Sequence, residues 1–211
     1  MELLAKPSSR QLAILRVALH VASLLPLARL LFLGLTGGLG DEPVRAVLWE
    51  TGDWSLYMLC LTLAVTPLRR VTGWNWLAAF RRLPGMYAFA YGALHFATYL
   101  WLRRSGELLA LLARILTQMP LLTGFISLLI MLALAATSFQ AAMRWLGGMR
   151  WQWLHRLTYI SAVLAVVHYW LEVARYGSNR PLWFGAIVAT LLLFRLAWWF
   201  RSQKKLAAAQ K

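Results

Sequence analysis

Four histidines, His20, His95, His155 and His168, are the residues of this chain best equipped for chemistry, and each falls inside a long apolar run rather than a polar connection. An imidazole is costly to bury in hydrocarbon, so an ionisable group there marks a ligand, a proton relay or the lining of a cavity. A proton relay needs carboxylates at the same depth. None stands at the centre of an apolar run, and Glu50 and Glu172 only approach the boundaries. Metal or cofactor ligation remains, and imidazole is a common axial ligand of haem iron, which takes two such groups from facing helices at equal depth. The plainer counterpart is a histidine that hydrogen-bonds across helices, as Ser, Thr and His do in membrane bundles. On residue types alone both readings stand.

The elements that must carry these imidazoles are membrane helices. Of 211 residues 61% are hydrophobic and 14% charged, with 12 tryptophans, which is too much apolar surface for a soluble domain of this size to hide. A span needs about 20 mostly apolar residues. Five segments meet this and a sixth, Trp54–Leu68, is short for it: the candidates are Leu12–Leu35, Trp54–Leu68, Leu83–Leu102, Leu116–Met143, Trp151–Leu171 and Leu182–Phe200. The expected fold is thus all-α, a polytopic membrane bundle of about six helices forming a single domain over residues 1–211. The first run is too long for a removable signal peptide and has no small-residue cleavage site, so it reads as a span. Arg195, inside the last span, is expected to snorkel to the interface.

The net charge of +15 would suggest nucleic acid in a soluble protein, but the cations lie between apolar runs and read as topology signals. With the N-terminus inside, Lys6, Arg10, Arg16, Arg69, Arg70, Arg81, Arg82, Arg144, Arg150, Arg156, Arg201, Lys204, Lys205 and Lys211 share the cytoplasmic side. Asp41, Glu42, Glu50, Asp53, Glu107 and Glu172 collect on the other. Both termini are therefore expected in the cytoplasm. No connection is long enough to house a soluble catalytic domain. The single cysteine, Cys60, lies among leucines, which excludes an intramolecular disulfide and any cysteine-based metal or redox motif.

Depth sorts the histidines. At 1.5 Å per residue, His95 lies about 20 Å beyond Arg82 and His168 about 25 Å beyond Trp151, both on outward-running spans. They form a plausible bis-histidine pair in the outer half. His155 lies about 20 Å below His168 and, on an ideal helix, points about 140° away from it. Its expected partner below His95 would fall at Arg81 or Arg82, which cannot ligate iron. His155 is left to pair with His20, to act alone, or to bind a quinone or flavin, and the two arginines suit an anionic group such as a flavin phosphate or haem propionate. Arg29 reads as a snorkelling cation or a propionate contact. Trp49, Trp54, Trp101, Trp151, Trp153 and Trp183 read as an interfacial belt, and the glycine-rich run from Gly34 to Gly40 as a turn.

Several stretches resemble one family in order and length along almost the whole chain. They are Gly37-Gly38-Leu39-Gly40-Asp41-Glu42-Pro43-Val44, Thr66-Pro67-Leu68, Arg81-Arg82-Leu83-Pro84-Gly85 through Leu94-His95, Ala136-Thr137-Ser138, and Trp151-Gln152-Trp153-Leu154-His155-Arg156-Leu157 with Val167-His168-Tyr169. The resemblance is to the MsrQ family, formerly YedZ, within the ferric-reductase-like transmembrane group. It implies a protein of the bacterial inner membrane that holds one haem b, or two, on His95, His168 and His155. Electrons would come from the quinone pool, a flavin such as FMN, or a cytosolic flavin reductase. They would pass to MsrP, a periplasmic molybdopterin subunit that reduces methionine sulfoxide in oxidised proteins. The chain would then be an electron-transfer subunit in membrane lipid, with no nucleic acid partner and no substrate active site of its own. A haem-free transporter or assembly protein, its histidines lining a polar cavity, is the alternative.

Overall fold

The computed structural model describes residues 7–103, 107–173 and 177–209, with side chains as far as Lys204; Lys6 and Lys211 lie outside the described residues. Regular structure among these residues is entirely helical. Helix α1 (Ser9–Thr36) starts at a capping box, in which Gln11 N–H donates to Ser8 Oγ and Ser8 N–H to Gln11 Oε1. It ends at Gly37, whose φ of 73° is the left-handed conformation that lets the next amide, of Gly38, return to the Leu33 carbonyl. The expected glycine turn is a helix stop. Helix α2 (Pro43–Thr72) has proline in its first turn, where the missing N–H costs nothing. A 3-10 segment (Asn75–Phe80) leads into α3 (Arg82–Thr98), continued by a π turn at Tyr99–Arg103.

The fourth expected span does not form as one helix. It is divided into the end of α4 (Leu108–Thr117), α5 (Met119–Ala136) and the start of α6 (Gln140–Leu146). Pro120 explains the first break, because its ring would clash with the Leu116 carbonyl of a continuous helix. The second break follows from hydroxyls: Thr137 Oγ1 donates to Ala133 O at 2.7 Å and Ser138 Oγ to Leu134 O at 2.6 Å, satisfying carbonyls at the end of α5. The fifth expected span is likewise divided at Arg156 into α7 (Gly148–His155) and α8 (Leu157–Val173), and the chain ends in α9 (Arg180–Ala209). Helix α2, by contrast, is longer than the expected Trp54–Leu68 because its first turns carry the polar residues Arg45, Glu50 and Asp53.

By length and composition, α1, α5 and α9 can cross a membrane. Helices α3 and α8, at 17 residues each, cover about 25 Å of a hydrocarbon core of about 30 Å. Each continues into another helical segment at one end, the π turn for α3 and α7 for α8. The principal packed pairs are α2 with α3 and α5 with α8, and α9 closes against α2 and α8. Their contacts use small polar groups, as expected where lipid removes the hydrophobic drive between helices. Ser55 Oγ donates to Ala88 O at 2.8 Å, and Ser127 and Ser161 meet through their hydroxyls at 2.9 Å. Each such bond contributes about 0.6 kcal/mol.

Side-chain pairs show which ends of the helices coincide. Arg29 of α1 meets Glu50 of α2 at 3.1 Å, and Arg180 of α9 meets Asp53 of α2 at 3.0 Å. At the opposite end Arg70 of α2 lies over the ring of Trp198 in α9. The start of α1 and the end of α9 are therefore at one end of the bundle, with Arg69, Arg70, Arg81 and Arg82. Reporter fusions after Lys204 and at Asp41 should report opposite compartments, the first cytoplasmic and the second periplasmic; the same compartment for both would overturn this topology.

Candidate functional site

Helices α3 and α8 bring His95 and His168 together. Their ring centroids are 6.1 Å apart and their planes stand at 83°. Two imidazoles on opposite sides of one metal ion would be separated by two metal–nitrogen bonds of about 2 Å and about 1 Å from each nitrogen to its ring centre, or about 6 Å in all. The observed spacing fits a bis-imidazole iron. The nitrogens fit as well. His95 Nδ1 lies 2.9 Å from Leu48 O, and His168 Nδ1 lies 2.8 Å from Pro120 O. A carbonyl only accepts, so each Nδ1 carries the proton and donates, leaving Nε2 unprotonated as the coordinating nitrogen. Such a bond orients the ring and raises its basicity towards metal. A cluster of three or more His, Cys, Asp or Glu able to hold a bare ion does not occur among the described residues, so the pair suits iron already carried by a macrocycle.

The surroundings of the pair repeat. The acceptor carbonyl on the neighbouring helix is followed one turn later by a glycine, Gly52 after Leu48 and Gly124 after Pro120, and then by a serine, Ser55 or Ser127. Those serines bond Ala88 and Ser161, each seven residues before the histidine of its own helix. Sequence reasoning singled out neither glycine; the available signal was Gly124 in the interior of an expected membrane helix, which points to close approach by a neighbour, whereas Gly52 lay before the expected span Trp54–Leu68.

The inner histidine stands elsewhere. Its Nε2 lies 3.2 Å from Thr137 Oγ1, its ring stacks on Trp151 at 4.0 Å, and Trp151 in turn donates to Thr137 O at 2.8 Å. The break at Arg156 means that His155 and His168 do not share one straight helix, so the offset of about 140° on an ideal helix does not apply to them. His155, Trp151 and Tyr159 line a cavity of about 530 Å³ with Arg69, Arg70, Arg81 and Arg82, and no carboxylate is in its lining. The pairing of His155 with His20 does not occur. His20 Nδ1 lies 2.9 Å from the Tyr87 hydroxyl, and His20 is not in the cavity lining.

Other expected residues also find different partners. Arg29 is ion-paired with Glu50, which also accepts from Trp54 Nε1 at 3.1 Å. Arg195 does not snorkel. Its guanidinium turns into the bundle, donating to Leu63 O and, at 3.1 Å, to Leu191 O, and lies over the Tyr159 ring, because a carbonyl and an aromatic face are within its reach there. Of the expected tryptophan belt, Trp49, Trp101, Trp153 and Trp183 are exposed, whereas Trp54 and Trp151 are turned to the bonds just described.

The ferric reductase like transmembrane component family matches residues 51–166, a stretch that contains His95 and His155 and stops just before His168. The chain is 42% identical to the protein-methionine-sulfoxide reductase heme-binding subunit MsrQ of Herminiimonas arsenicoxydans, over 94% of this chain and 92% of the relative. It is 41% identical to the subunit of the same name from Ralstonia nicotianae, over 95% and 93%, and 39% identical to that of Rhodospirillum rubrum, over 86% of each. No solved structure matches it. Fold and relatives agree, and the chain belongs to the MsrQ family of ferric-reductase-like transmembrane proteins.

Proposed function

We propose that this chain is the haem-binding electron-transfer subunit of a methionine sulfoxide reductase system, with His95 and His168 as the axial ligands of a b-type haem. The observation that carries the reading is the pair of imidazoles at 6.1 Å with both Nδ1 atoms bonded to carbonyls. The bound haem would supply one-electron transfer between ferric and ferrous iron. The chain's own residues would hold and orient the group: the carbonyls of Leu48 and Pro120 fix the rings whose Nε2 atoms face it. Six crossings, with both termini in the cytoplasm, would put this site in the outer half of the inner membrane. Electrons would leave towards a periplasmic molybdopterin partner, MsrP, where the chemistry on methionine sulfoxide takes place.

The inner cavity takes a separate role in this reading. Four arginines without a compensating carboxylate suit an anionic cofactor, a flavin phosphate or a haem propionate, better than a neutral quinone. His155 would contact that group through its ring. Electrons from the quinone pool or a cytosolic flavin reductase would be received there.

Pyridine-haemochrome quantitation on the purified protein tests the core of the proposal. At least one haem b per chain, with a Soret band that shifts on reduction, is expected. A colourless, folded protein would favour the haem-free transporter or assembly protein. Reduction by quinol with full activity on methionine sulfoxide in the absence of any partner would refute the subunit role.

A further inference from the structure

A glycine in a helix interior is less favourable than alanine, so two of them facing the same kind of group call for a reason. Gly52 and Gly124 each lie beneath an imidazole from the neighbouring helix. A Cβ on Gly124 would stand 2.7 Å from His168 Nδ1, 2.9 Å from Cε1 and 3.0 Å from Cγ. Three ring atoms at nearly equal distance mean that the methyl group would press on the ring itself. A Cβ on Gly52 would stand 3.1 Å from His95 Nδ1 and 3.3 Å from Cε1, a milder conflict. In both places the carbonyl that receives the Nδ1 proton is one turn earlier on the glycine's own helix. The ring can reach that carbonyl only by lying against the glycine.

We propose that Gly52 and Gly124 are positioning residues that set the planes of the two axial imidazoles and keep their Nδ1–H bonds short. The proposal rests on the haem ligation argued above. Its content is a mutual orientation: the rings stand at 83°, close to the maximum of 90°. Any sizeable rotation of either ring therefore brings the planes closer to parallel. The angle between axial imidazoles governs the anisotropy of low-spin ferric haem, perpendicular rings giving one very large g value and parallel rings a rhombic signal. The Nδ1–H bond to a carbonyl makes the imidazole a stronger donor and favours ferric iron, so lengthening that bond raises the midpoint potential.

Ordinary helix packing is the competing explanation, and Gly185 separates the two. A Cβ there meets only Val166 Cγ1, at 3.5 Å, an ordinary contact that involves neither histidine. Ferric EPR spectra and redox titrations of the detergent-purified full chain should be compared for the unsubstituted protein, Gly124→Ala, Gly52→Ala and Gly185→Ala. The unsubstituted protein should show the large-g signal. Gly124→Ala should lower the largest g value and raise the midpoint potential, Gly52→Ala should do the same to a smaller extent, and Gly185→Ala should change neither. If Gly124→Ala does not accumulate, the milder Gly52→Ala decides. A large-g signal in the unsubstituted protein that both histidine-facing variants reproduce unchanged overturns the inference alone, as does an equal shift in Gly185→Ala. A chain with no low-spin haem overturns the haem ligation and the inference with it.

Discussion

Alanine at His95 or at His168 is expected to abolish the six-coordinate low-spin spectrum of the proposed outer haem, each single substitution as completely as the other. The reason is geometric: the two rings come from different helices at one height, and one imidazole cannot complete both axial positions. Electron delivery to the periplasmic partner falls in parallel, by more than the roughly 10–100-fold typical of losing only a supporting hydrogen bond at a metal site. The measurement is the reduced-minus-oxidised spectrum of each variant at matched protein concentration. Full low-spin absorption in both would refute the ligand assignment.

The second large effect belongs to the opposite end of the bundle. His155→Ala is expected to slow electron uptake from the donor side and leave the outer haem's spectrum intact, because His155 bonds Thr137 and stacks on Trp151 rather than touching the outer pair. If an anionic ligand occupies the cavity, Arg82→Ala should cost it a charge-assisted contact worth about 1.5–3 kcal/mol and weaken its retention by about 10–100-fold. Rapid mixing with a quinol or a reduced flavin reads the first, and flavin or haem retained per chain reads the second. His20→Ala is silent in both, since its ring is engaged with Tyr87. Loss of all haem in His155→Ala, with His20→Ala silent, would assign His155 to the outer haem's ligation or folding and remove the separate inner site.

Periodicity of the chain's chemistry reached further than periodicity of its helices. The equal depth of His95 and His168 followed from counting residues along two outward spans, because rise per residue is nearly invariant. The breaks at Gln118 and after Ala136 did not. Apolar runs look continuous across them, and only local details stop the helix: the Pro120 ring on one side, the Thr137 and Ser138 hydroxyls on another. Arg195 was misread for a related reason. Snorkelling is the cheaper course for a lone cation in lipid, but Leu63 O and the Tyr159 ring are brought near it by contacts between distant parts of the chain, which composition cannot reveal. Gly124 was legible as a point of close approach inside an apolar run, but that the approaching group at both glycines is an imidazole required the packing of distant helices.

The pairing of α2 with α3 and of α5 with α8 has a consequence for how the protein is made. His95 and His168 are separated by roughly 70 residues, which a ribosome adding about 5–20 residues per second needs several seconds to cover. During that interval His95 has its full set of local partners, since Leu48 and Gly52 precede it in the chain. His168 likewise emerges after Pro120 and Gly124. The first hairpin therefore shelters its own Nδ1–H from lipid before the second exists, and the second satisfies its own without drawing on the first. If the pair holds haem as proposed, its two ligands would first stand together when the second hairpin meets the first, and haem would be loaded late.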